Sequence, residues 1–151
     1  MGRALALPGQ PVRRGTMAHE HDVYAILADA AARQHDLDAL REYAPRVEEL
    51  AERDGHRLYL ALAHRAWGVA ARLAGDYAEA GARLKLALET FDRLGARWQI
   101  GRTQAELGEL EAARAQPVLA REYFTQALAV FDDLQAAPDT ARVSAALASL
   151  A

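Results

Sequence analysis

Trp67-Gly68-Val69-Ala70-Ala71-Arg72-Leu73-Ala74-Gly75-Asp76-Tyr77-Ala78-Glu79-Ala80, continued by Ala87-Leu88 and Phe91, reads as two helices broken at Gly75-Asp76. Small residues stand where the two helices would touch. The pattern returns 40 residues on without a gap: Gly68 to Gly108, Ala80 to Ala120, Ala87-Leu88 to Ala127-Leu128, Phe91-Asp92 to Phe131-Asp132, and Leu94 to Leu134. A fixed period of this size marks a stack of helical units, each burying its apolar face on the next. Such a stack predicts a binding module and names no partner.

Outward from that stretch, apolar spacing predicts a helix over Arg57–Leu73, with Leu58, Ala61, Leu62, Trp67 and Ala70-Ala71 at contacts. Asp76 caps the next helix, and Glu79 three residues on gives a capping-box arrangement. Its stripe is Tyr77, Ala80, Leu84, Ala87, Leu88, Phe91 and Leu94, with Gly95 as C-cap. A fifth helix spans Ala96–Ala115, with Ile100, Thr103, Leu107 and Leu110 inward. A sixth opens at Pro117 and carries Val118, Ala120, Phe124, Ala127, Leu128, Phe131 and Leu134. Pro138-Asp139 begins a seventh, from Thr140 to Leu150. Toward the N-terminus, a first helix over His19–Arg33 buries Val23, Tyr24, Leu27, Ala28 and Ala31. Asp36 caps a second, with Leu37, Leu40, Ala44, Val47 and Leu50 inward, which ends near Gly55. Pro45 inside it predicts a kink. Residues 1–18, with Pro8, Gly9, Pro11 and Gly15, read as a disordered arm or a cloning scar, Met17 being an alternative start. The repeat domain is 19–151, divided into 19–55, 56–95, 96–135 and a half-repeat 136–151.

The totals narrow the class. Hydrophobic residues make up 52% and aromatic ones only 7%, as expected of helices packed through small residues rather than of a β-sandwich. A net charge of −3 argues against direct nucleic-acid binding, which calls for a basic face. The absence of Cys removes disulfides, thiolate metal sites and thiol nucleophiles. No apolar run is long enough to span a membrane, and Ala4 to Leu7 is too short for a signal peptide. A cytoplasmic protein is expected.

The repeated residues resemble the tetratricopeptide repeat (TPR) family, which places small residues at positions eight, twenty and twenty-seven of its unit. Counted from Ala61, those are Gly68, Ala80 and Ala87, then Gly108, Ala120 and Ala127; Ala28, Leu40 and Val47 fill them in a degenerate first repeat. Leu84 and Phe124 match the family's large apolar position, and Trp67 and Leu107 the residue before the glycine. The 40-residue unit exceeds the usual 34 and falls within the HEAT and armadillo range, but the small-residue offsets favour TPR. Asp92 and Asp132 stand where the family often has proline. Extended units of this kind resemble the sensor regions of large bacterial LuxR-type transcription activators.

The resemblance implies an all-α, right-handed α-solenoid of about seven helices. The first helix of each unit would line a concave groove that binds a protein or peptide. Its implied groove residues include Arg65, Val69 and Arg72, then Arg102 and Glu109, then Arg142, with Asp22, Ala25, Asp29, Ala32 and Arg33 from the first repeat. Guanidinium forks in a recess suit carboxylates, so the expected partner is an acidic or C-terminal segment. The plainer alternative is that arginine is a good helix former on a solvated face. The runner-up function is a small-effector sensor of a bacterial transcription-regulatory system, which needs a deep pocket beside Trp67 or Trp98.

Catalysis and metal binding find no support in the residues. His19, His21, His35, His56 and His64 have no carboxylates at a zinc-like spacing. Glu48-Glu49 and Asp132-Asp133 are adjacent on helices and so diverge. There is no phosphate loop and no serine-nucleophile motif, and no cofactor is expected. The last helix has an apolar side, Val143, Ala146, Leu147 and Leu150, with no helix after it. That side either caps the preceding hairpin or joins a second copy in a homodimer.

Overall fold

A computed structural model describes the backbone of residues 10–150 and the side chains of residues 22–150. Among the described residues seven helices follow one another: α1 (Gln10–Arg33), α2 (Leu37–Asp54), α3 (Arg57–Leu73), α4 (Tyr77–Leu94), α5 (Arg97–Ala113), α6 (Pro117–Asp133) and α7 (Ala137–Ala148). Each packs chiefly on its neighbours in sequence, and α1 also lies against α3, which makes an all-α repeat solenoid. Among the described residues there is no strand, and no helix is long and apolar enough to cross a membrane.

The rhythm is set at the turns. His35, Gly55, Gly75, Gly95, Ala115 and Gln135, spaced by 20, all take positive φ, between 55° and 87°. The residue after each donates its N–H to the carbonyl five back, at 2.8–3.0 Å: Asp36 to Ala31, His56 to Ala51, Asp76 to Ala71, Ala96 to Phe91, Gln116 to Glu111 and Ala136 to Phe131. That bond satisfies an orphan carbonyl at the helix end, and the same residue then serves as N-cap of the next helix. Asp36 and Asp76 cap with their side chains, accepting from Ala39 and Glu79 at 3.1 and 3.2 Å. Glu79 does not close a capping box; its carboxylate holds Arg83 at 2.9 Å. A side chain with Cβ pays about 1–2 kcal/mol in this left-handed conformation. Gln135→Gly is therefore expected to raise stability by about 1 kcal/mol, seen as a melting temperature about 2–4 °C higher in thermal circular dichroism.

Between paired helices, glycine makes the hole and a large side chain the knob. A Cβ on Gly68 would stand 2.7 Å from Leu84, one on Gly108 2.6 Å from Phe124, and one on Gly101 2.8 Å from Phe131. Ala80, Ala87, Ala120 and Ala127 are fully buried on the facing helices. Among the described residues four apolar clusters run in series along the stack, the last joining Phe124, Phe131 and Val143.

Several expectations change. α1 begins at Gln10, ahead of His19, and residues 1–9 of the expected arm lie outside the described residues. Pro45 lies inside α2, where the sequence places it. Val23 and Leu27 are 36% exposed rather than buried, and Ile26 beside them is 67% exposed. Their equivalents 40 residues on, Ala63, Trp67 and Ala66, pack into the cluster of the preceding hairpin. α1 has no hairpin before it among the described residues, so the same positions face outward. Leu94, Val118 and Leu134 also lie at the surface. The apolar side of α7 packs inward: Ala146, Leu147 and Leu150 join Val143 against Phe124, Phe131 and Leu128.

Candidate functional site

α1, α3, α5 and α7 hold equivalent places in the repeat and bring their charged residues to one face. Asp29 on α1 is the hub. Its carboxylate takes a short hydrogen bond from Arg102 of α5, pairs with Arg65 of α3 at 3.7 Å, and accepts from Arg33 Nε, one turn on, at 3.1 Å. Glu106 holds Arg102 at 3.4 Å and Arg72 at 3.5 Å. Arg33 reaches on to Asp139 of α7 at 3.9 Å, and Asp139 accepts from Trp98 Nε1 at 2.9 Å. Arg65 also donates to the Gln99 carbonyl and Thr103 Oγ1, both at 3.3 Å, and its guanidinium lies 5.3 Å from the centre of the Phe91 ring.

These charges are held with little water. Arg65 and Arg102 are each 4% exposed. Burial and the neighbouring Arg102 charge push the Arg65 guanidinium down to about 9, so it still carries its charge at neutral pH. Burial works in the same direction on Arg102, but Glu106 and Asp29 outweigh it and raise that group. Burial would also raise Asp29; Arg102, Arg65 and Arg33 together outweigh it and hold the carboxyl below its ordinary value of 3.8. The network is a strut across all four odd-numbered helices.

The sequence-predicted groove residues therefore divide. Arg65, Arg72 and Arg102 share one face, as expected, but each holds a carboxylate of this chain. They are not open forks for an acidic peptide. Val69 is fully buried in the core and presents nothing to a ligand. Glu109 and Arg142 remain on accessible walls, and among the described residues neither makes an ion pair or a side-chain hydrogen bond. They share a small recess of 50 Å³ with Arg33, His35, Arg102 and Glu106. Glu109, Phe124 and Ala146 also line a larger, open cleft of 540 Å³, whose other walls are Ala112, Ala115, Pro117, Ser149 and Leu150. Burial and the nearby Glu106 push the Glu109 carboxyl up, against the opposing pull of Arg72 and His35.

Sequence reasoning missed Glu106 and Asp139 as partners of the arginines and missed the cleft between α5, α6 and α7. The four-residue spacings Asp29–Arg33 and Arg102–Glu106 were the available signal for part of the network.

The tryptophans differ in their surroundings. Trp98 has two guanidinium groups near its ring, the carbons of Arg33 and Arg102 standing 5.6 and 5.8 Å from its centroid. Trp67 donates to Glu48 at 3.1 Å and borders an open recess of 310 Å³ with Arg41, Ala74, Glu79 and Arg83. Among the described residues, no three His, Asp or Glu gather as metal ligands. Compared with known proteins, the chain matches no family model and no curated sequence.

Proposed function

We propose that this chain is a non-catalytic scaffold of the TPR type that holds a peptide segment of a partner protein. The supporting observation is the 540 Å³ cleft between α5, α6 and α7, open to solvent and walled by Phe124, Ala112, Ala146, Pro117 and Leu150. A few apolar walls with one charged group are what a peptide side chain needs for anchorage and orientation. The ion-paired strut contributes rigidity: a groove whose helices are fixed costs less ordering on binding. Selection of displayed random 12-residue peptides against the chain tests this. Binders are expected, and Ala146→Trp, which fills the cleft, should weaken them at least about tenfold with helicity unchanged. Recovery of no binder, or equal binding by the filled variant, contradicts the proposal.

A small-effector sensor is the second reading, favoured by the 310 Å³ recess beside Trp67. A ligand there would change Trp67 fluorescence, whereas a peptide in the α5–α6–α7 cleft would not touch that ring.

A further inference from the structure

Glu109 is a half-buried carboxylate at the join of the 540 Å³ cleft and the 50 Å³ recess, and among the described residues no cation comes close enough to form an ion pair with it, Arg72 and His35 acting on it only from a distance. We infer that the cleft takes a peptide segment that sets an apolar side chain against Pro117 and Leu150 and a lysine or arginine side chain on Glu109. This rests on the peptide-scaffold reading and adds the chemistry of the segment. The contest is between Glu109 drawing a cation and Arg142 drawing an anion. Arg142 is exposed, so its charge is already solvated, and an exposed pair gains about 0–1 kcal/mol. Glu109 has lost part of its water and has Glu106 one turn away, so an arriving cation replaces solvation that burial removed. The other arginines and the second carboxylate on the recess are committed: Arg102 to Asp29 and Glu106, Arg33 to Asp29 and Asp139, Glu106 to Arg72; His35, which also lines it, draws on Glu109 without forming an ion pair among the described residues. The walls beside Glu109 (Ala112, Ala146 and Leu150) also suit the methylene stem of a long basic side chain, which packs on apolar surface while its head is paired.

The test uses the 12-residue peptides recovered by display, remeasured by fluorescence polarisation with blocked ends. Each basic residue is replaced in turn by norleucine and by glutamate, against the parent, Glu109→Gln, Glu109→Lys and Arg142→Glu. The expected binders pair a basic with an apolar residue. Replacing that basic residue should weaken binding about tenfold to the parent and hardly at all to Glu109→Gln, and Glu109→Lys should favour the glutamate peptide. Binders indifferent to Glu109, or acidic binders lost with Arg142→Glu, overturn this inference and leave the scaffold reading standing. Absence of any binder overturns both. Circular dichroism of each variant separates lost contact from lost fold.

Discussion

Asp29→Asn is expected to unfold about 6–12 °C below the parent in thermal circular dichroism at neutral pH. Asp29 is the only carboxylate that pairs with both Arg65 and Arg102 among the described residues, and both arginines are 4% exposed. Removing one partner of a buried pair costs about 3–5 kcal/mol because the remaining charge is left desolvated. Asp29 keeps about a quarter of its side-chain surface, 26%, which places the expectation at the lower end, about 3 kcal/mol. At this chain length each kcal/mol moves the midpoint by about 2–4 °C. The pH dependence gives a second check. The folded carboxyl is held below its ordinary 3.8, so its contribution is full above that value and is lost as pH falls through the folded one. The acid limb of the stability curve should therefore flatten in Asp29→Asn. Joint replacement of Asp29, Arg65 and Arg102 by apolar residues should recover part of the loss, because no unpaired guanidinium is then left at the hub while Glu106 keeps Arg72 and Arg33 keeps Asp139. If Asp29→Asn melts with the parent, the strut is not what holds α1 to α5.

The second large effect lies at the knob and hole between α5 and α6. Phe124→Ala should cost about 3–5 kcal/mol, because the ring is 2% exposed and helices fixed at both ends close poorly over the space it leaves. Gly108→Ala in the parent drives a Cβ to 2.6 Å from that ring and should cost about 1–3 kcal/mol, offset in part by the better helix propensity of alanine. In the Phe124→Ala background the clash is gone and only the propensity gain remains. Adding Gly108→Ala there should stabilise, by about 1 kcal/mol. Chemical denaturation of the four forms reads this sign reversal directly. Additive losses would mean that Gly108 is not shaped around Phe124.

What the sequence revealed and what it hid follow from the range of the forces involved. The caps at Asp36 and Asp76 and the turns at Gly55, Gly75 and Gly95 depend on residues within a few positions of one another, and each left a local mark that the 40-residue period repeats. At the turns marked by Asp36, Pro117 and Pro138, the positive φ falls on His35, Ala115 and Gln135, whose side chains do not advertise it. The exposure of Val23, Ile26 and Leu27 was masked by ordinary helical periodicity, which tells a stripe from its opposite face but not whether a neighbour covers it. The spacing of Arg65, Arg72, Arg102 and Asp29 does not show which of them pair, and it gives no sign of Glu106 as a partner. Asp29 meets Arg102 across 73 residues of chain, and Arg72 meets Glu106 across 34. Glu109 and Arg142 stayed accessible, while the cleft beside them depends on the volumes of Phe124, Pro117 and Leu150 on different helices.

Backbone amide shift mapping with one display-selected peptide tests the central claim most directly. Binding to the cleft predicts shifts concentrated at Glu109, Ala112, Phe124, Ala146 and Leu150, with Arg41, Trp67 and Ala74 unmoved. Shifts centred on Trp67 and Arg41, with the α5–α6–α7 residues silent, would contradict it and move the binding function to the recess beside Trp67.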